Sequence, residues 1–184
     1  MYEQYILPLL RGSIATQHSS LTLLTTGIPE STLSDALGGI DTLLPSTSIA
    51  YLPSPLGVRI RLTSTADDAN EAADALVQLG AFVRQRVGEY LYGQGTDTLE
   101  EIVGRMLIEQ GRTVAVAESC TGGLITDKMT NIPGSSRWFE RGAVVYSDAS
   151  KTEMLGVDPS LISTHGAVSR EVAEAMAEGI RAVA

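Results

Sequence analysis

Two glycines within three residues interrupt the 184-residue chain at Tyr92–Gly93–Gln94–Gly95–Thr96, and the hydrophobic pattern differs on either side of them. The length allows one ordinary domain or two small ones, and this break favours two, residues 1–95 and residues 96–184. Thr98 with Glu101 three residues on forms a capping-box pattern after the break. The helix it opens carries Leu99, Ile102, Val103, Met106 and Leu107 on one face and ends at Gly111.

Residues 1–95 read as β-α-β-β-α-β. Leu21–Thr25 is a strand, and Thr26–Glu30 a turn before a helix capped by Ser31 and running to about Gly38. Ser48–Leu52 and Val58–Thr63 are strands joined by Pro53–Gly57. Val58, Ile60 and Leu62 alternate with Arg59, Arg61 and Thr63, the period-2 signature of a half-buried strand. A long helix from about Asp68 buries Ala72, Leu76, Leu79, Val83 and Val87, and Glu89–Tyr92 closes the sheet. The expectation is a small α+β domain with its helices on one sheet face.

Residues 96–184 alternate helix and strand. Thr113–Ala117 and Gly142–Tyr146 are strands, helices run to about Asn131 and from about Ser150 to Leu155, and Ser169 caps a last helix with Val172, Met176, Ile180 and Val183 inward. That order predicts a mostly parallel sheet covered on both faces, an α/β three-layer (αβα) domain. Two strands are few for such a sheet. The expectation is therefore a truncated domain, or a sheet completed by another copy, with a homodimer as the assembly.

Composition narrows the function. A single cysteine, Cys120, forbids an internal disulfide and fits a reducing cytoplasm. One Cys and two His, His18 and His165, cannot build a Cys/His metal site, and no metal or cofactor is expected. No apolar run reaches the roughly 20 residues of a membrane span, and Met1–Tyr5 lacks the basic start of a signal peptide. The net charge of −9 divides as −4 and −5 between the halves, so no nucleic-acid partner is expected and anion recognition must be local.

Ala115–Leu124 carries the chemistry. In Glu118–Ser119–Cys120–Thr121–Gly122–Gly123 a nucleophile sits where a strand hands over to a helix. The glycines permit close approach to the backbone, and first-turn N–H groups can receive an oxyanion. The same residues also make an ordinary capped helix start. A serine nucleophile needs a base. His165 lies in a loop without a neighbouring carboxylate in sequence; Lys151 lies just beyond a strand end, where open α/β sheets build their sites. As base, Lys151 would have to be neutral. Lys128, mid-helix, reads as a solvated surface residue. Cys120 is the alternative nucleophile, but reads better as a small buried residue.

These segments, with Pro133–Gly134–Ser135–Ser136, Gly142–Ala143–Val144–Val145–Tyr146–Ser147, Leu155–Gly156–Val157 and Gly166–Ala167–Val168–Ser169, resemble the first part of the C-terminal domain of the CinA (competence/damage-inducible) family. Residues from about 20 to 92 resemble that family's KH-like middle domain, through Thr26–Ser31, Ala50–Pro53 and Val58–Leu62. The resemblance implies an amidase that converts nicotinamide mononucleotide and water to nicotinate mononucleotide and ammonia. It implies Ser119 as nucleophile, Lys151 as general base and Tyr146 as helper. Backbone groups at Thr121, Gly122 and Gly123 would bind the oxyanion, and Arg137 and Arg141 are candidates for the substrate phosphate. A later Gly-Ile-Ala-Gly-Pro segment of the family's domain and the family's large N-terminal domain have no counterpart in this sequence. The KH-like half has no Gly-x-x-Gly loop, which argues against RNA binding. The alternative is a non-catalytic interaction module related to competence and damage.

Overall fold

The computed structural model describes residues 17–40 and 43–184, together with Tyr5. Of the Met1–Tyr5 segment read for a leader, only Tyr5 lies within the described residues. The chain forms two compact units, residues 1–97 and 98–184.

The first unit runs β1 (Gln17–Thr25), α1 (Glu30–Ala36), β2 (Thr47–Ser54), β3 (Gly57–Ala66), α2 (Ala69–Val87) and β4 (Leu91–Gln94). Its sheet is antiparallel in the order β2-β3-β1-β4. Along β3, Val58, Ile60, Leu62 and Ser64 are buried while Arg59 and Arg61 are exposed. Asp68 caps α2 by accepting from the Asn70 N–H, and the expected stripe from Ala72 to Val87 is buried. With Leu23, Ile28, Leu33, Leu37 and Ile40 it forms one core.

The elements differ from the expected ones at their ends. β1 starts four residues earlier, at Gln17, because main-chain pairing with Thr63–Ala66 of β3 carries polar residues that have no burial signal. Pro53 and Ser54 belong to β2 rather than to the loop, since β2 is an edge strand and tolerates proline. α1 starts at Glu30 behind Pro29, without a side-chain cap, so Ser31 is not its cap. β4 begins at Leu91 because Gly88–Tyr90 forms a 3₁₀ turn.

The second unit runs α3 (Leu99–Glu109), β5 (Val114–Glu118), α4 (Leu124–Thr130), β6 (Phe139–Val144), α5 (Asp148–Leu155), α6 (Pro159–His165) and α7 (Arg170–Val183). β5 and β6 pair in parallel, with Glu118 opposite Val144. α4 packs on one face of the pair, and α7 on the other with α5 and α6 beside it. Thr98 and Glu101 make both bonds of the capping box. Gly104 lets α3 lie directly on Trp138, because an added Cβ would stand 2.6 Å from its Cε2. Ala115, Ala117 and Ala143 pack against the core of Val145, Leu155, Val157, Ile162, Val172, Met176 and Ile180. Met106 and Val183, expected inward, are exposed. α6, not foreseen, is opened by Asp158, which accepts from the Ser160 N–H, with Pro159 in the first turn. Among the described residues no helix is long and apolar enough to cross a membrane.

Candidate functional site

The site is built at the C-terminal end of the parallel pair. The Val145 N–H donates to the Glu118 carbonyl at 2.8 Å, so the pairing runs one step past β6. Ser119 and Tyr146 each follow that bond by one residue and leave the sheet at the same end.

Strand alternation decides which way each side chain faces. Ala115 and Ala117 face the layer of α5 and α7, and Ser119 is the first residue past the strand. Val116 and Glu118 therefore face α4, and the bonds of Glu118 agree. Glu118 is 2 % exposed. It accepts from the N–H groups of Gly123 at 3.1 Å, Ile125 at 3.0 Å and Thr126 at 2.8 Å. Burial alone would raise its pKa. Interactions with Thr126, the Thr121 hydroxyl and the Ile125 N–H outweigh burial and hold it at about 2. The Thr126 hydroxyl is itself buried without a well-formed hydrogen bond, so it favours the carboxylate by proximity. It also fills the space over Gly142, where a Cβ would stand 2.4 Å away.

The turn between Ser119 and α4 needs its glycines. Gly122 and Gly123 have φ of +64° and +101°, a region that side chains with a Cβ avoid. The Gly122 N–H donates to the Ser119 carbonyl at 3.0 Å, and that of Gly123 is held by Glu118. Two of the three expected oxyanion donors are thus engaged. Among the described residues, the N–H groups of Cys120 and Thr121 carry no hydrogen bond.

Lys151 is 1 % exposed, on α5. Its Nζ donates to the Tyr146 carbonyl at 3.0 Å and lies 3.6 Å from the Asp148 carboxylate. The amine is thereby tied to the segment that follows β6, the neighbour of Ser119 across the pair. Among the described residues no hydrogen bond joins the Ser119 hydroxyl to the amine. Tyr146 meets Lys151 through its main chain; its ring is 74 % exposed, and no hydrogen bond within the described residues engages its hydroxyl.

Several other expectations are corrected. Cys120 is exposed, not a small buried residue. Next to Ser119 in an open turn, it has no apolar layer over it. His165 ends α6 and stands 3.7 Å from Glu171, so it has a carboxylate neighbour, six residues on in sequence. Lys128 is not simply solvated: it donates to Glu100 at 2.8 Å, and that bond holds the Glu100 carboxyl below its ordinary range. Arg137 and Trp138 precede β6, at the opposite end of the pair from Ser119. Arg141 lies within β6 opposite Ala115, beside Glu140. Neither arginine stands at the Ser119 end. Among the described residues no group of three His, Cys, Asp or Glu side chains is placed to hold a metal ion. The three bonds of Glu118 have no counterpart in the sequence reading, although its place before Ser119, with two glycines following, is visible there.

The fold and the site together define a KH-like α+β unit followed by an αβα unit with a serine just past β5 and a buried lysine on α5 tied to the segment past β6. Residues 20–93 match the family model described as the damage-inducible protein CinA KH domain, and residues 96–184 match that of the CinA C-terminal domain. The chain belongs to the CinA family. It is 42% identical over 184 residues to a CinA-like protein of Gemmatimonas aurantiaca, covering 98% of this chain and 43% of that one. It is 45% identical over 180 residues to a CinA-like protein of Chlorobium luteolum, covering 97% and 42%. A crystal structure described as competence/damage inducible protein CihA from Agrobacterium tumefaciens matches with 42% identity and a TM-score of 0.45, over 46% of this chain and 52% of that one. The chain thus spans less than half the length of the curated relatives it matches.

Proposed function

We propose that the second unit hydrolyses the carboxamide of nicotinamide mononucleotide to nicotinate mononucleotide and ammonia, with Ser119 as nucleophile and Lys151 as base. The observation that carries this reading is the burial of Lys151. A lysine sealed from solvent and tied to the Tyr146 carbonyl has no role as a solubilising surface charge.

Lys151, when unprotonated, takes the Ser119 proton as the hydroxyl oxygen attacks the carboxamide carbon. Negative charge develops on the carboxamide oxygen, and the N–H groups of Cys120 and Thr121 are the donors open to it. One such donor is worth roughly 3–4 kcal/mol in a well-studied protease. Protonated Lys151 returns its proton to the amide nitrogen, the C–N bond breaks and ammonia leaves. Water then attacks the acyl carbon, giving a proton to Lys151; the bond from that carbon to Ser119 Oγ breaks, Lys151 returns the proton to Oγ, and the carboxylic acid departs. Tyr146 holds the amine through its carbonyl, leaving its exposed phenol to meet the nucleotide.

Ammonia release from nicotinamide mononucleotide by the wild-type chain and by Ser119→Ala tests the reading. Release by the wild type and its loss in the variant are expected. Equal release by both would exclude Ser119, and no release by either would exclude the activity for this chain.

A further inference from the structure

We propose that Glu118 is the positioning residue of the site: a buried carboxylate that clamps the turn carrying Ser119 from the α4 face of the sheet. The proposal rests on the reading of Ser119 as nucleophile and extends it to a residue that does not touch substrate.

The backbone is tied on both sides of Ser119. Upstream, the Glu118 carbonyl accepts from Val145, fixing the end of β5 against β6. Downstream, the Glu118 side chain reaches under the turn to Gly123, Ile125 and Thr126. The loop so closed contains Ser119, Cys120 and Thr121, and within it Gly122 bonds back to the Ser119 carbonyl. The clamp occupies the α4 face of the pair, and Ser119 is the first residue of the turn it closes. α4 has seven residues and its N-cap, Gly123, offers no side chain, so the Glu118 carboxylate is what receives the N–H groups of Gly123, Ile125 and Thr126. A carboxylate suits this task because two oxygens must receive three donors. Oε2 takes Gly123 and Ile125, and Oε1 takes Thr126. Glutamine has one acceptor oxygen and would turn an NH2 group toward a donor. Alanine has none.

The clamp thereby assigns the helix start to an internal anion. The substrate's developing negative charge is met instead by the N–H groups of Cys120 and Thr121, on the part of the turn that Glu118 holds but does not occupy. Their direction, and that of the Ser119 hydroxyl, is set by the clamp.

Glu118→Gln and Glu118→Asp separate positioning from general stability. Two readouts are taken at a temperature where circular dichroism shows each variant folded: steady-state hydrolysis of nicotinamide mononucleotide and amide hydrogen exchange. For Glu118→Gln, kcat is expected to fall by about 10²-fold with KM within about twofold, the signature of misplaced reacting groups. Exchange should quicken at Gly123, Ile125 and Thr126 and stay unchanged in α7. Glu118→Asp, which keeps both oxygens, should recover part of kcat. An unchanged kcat in Glu118→Gln, a loss confined to KM, or unaltered exchange across 119–126 would overturn the proposal. If the wild type releases no ammonia, the amidase reading fails, and the exchange pattern alone then decides the clamp.

Discussion

Acid should loosen the second unit through Glu118, by an amount that follows from its environment. The ordinary glutamate value is 4.5 and the folded value about 2. A folded pKa below the unfolded one means that the unfolded chain binds the proton more readily. The stabilisation is therefore fully present above about pH 4.5 and is lost as pH falls toward 2. The interval between 4.5 and about 2 corresponds to about 3 kcal/mol. By pH 3 the same relation removes about 2 kcal/mol. Urea unfolding followed by the fluorescence of Trp138, the single tryptophan and a member of this unit, measures it at pH 7, 5, 4 and 3. Other carboxyls titrate over this range, so the quantity to compare is wild type minus Glu118→Gln. That difference should shrink by about 2 kcal/mol between pH 7 and pH 3. A difference constant with pH would refute the claim that Glu118 is ionised and paired in the folded state.

Two further outcomes follow from packing and charge. Gly104→Ala should destabilise the second unit by about 1–2 kcal/mol in the same unfolding assay, since overpacking against Trp138 exceeds the helix-propensity gain of roughly 1 kcal/mol; an unchanged or raised midpoint would show that the ring yields. Lys128→Ala should cost less than about 1 kcal/mol and leave ammonia release intact, as its pair with Glu100 is partly solvated; loss of activity would show that the wrong lysine has been assigned.

Much of the fold was legible because its signals are local. The capping box of Thr98 and Glu101, the alternation of Val58, Ile60 and Leu62, and the apolar stripe of α2 each reside in a few consecutive residues. The parts that were misjudged depend on partners distant in sequence. Gln17–Ser20 extend β1 only because β3 is there to pair with them. α6 is a seven-residue helix whose Asp158–Pro159 start is a weak cue beside its polar content. At the site, the candidate nucleophile segment and Lys151 were visible as motif residues, but the burial of Lys151 depends on how α5 folds back under the Tyr146 carbonyl. The clamp by Glu118 was hidden for a related reason. A charged residue beside a serine reads as a solvated neighbour until the turn closes over it and presents three N–H groups. The N–H groups left open in the turn are those of Cys120 and Thr121 rather than Gly122 and Gly123, because hydrogen bonds inside the turn engage the glycines.

The rate of ammonia release from nicotinamide mononucleotide by Lys151→Met tests the central claim most directly. Methionine fills the buried volume without an amine. Removal of a general base and acid predicts a loss of about 10²–10⁴-fold in kcat, with the variant still folded by circular dichroism. A folded Lys151→Met variant that releases ammonia within a few-fold of the wild type would contradict the Ser119/Lys151 account.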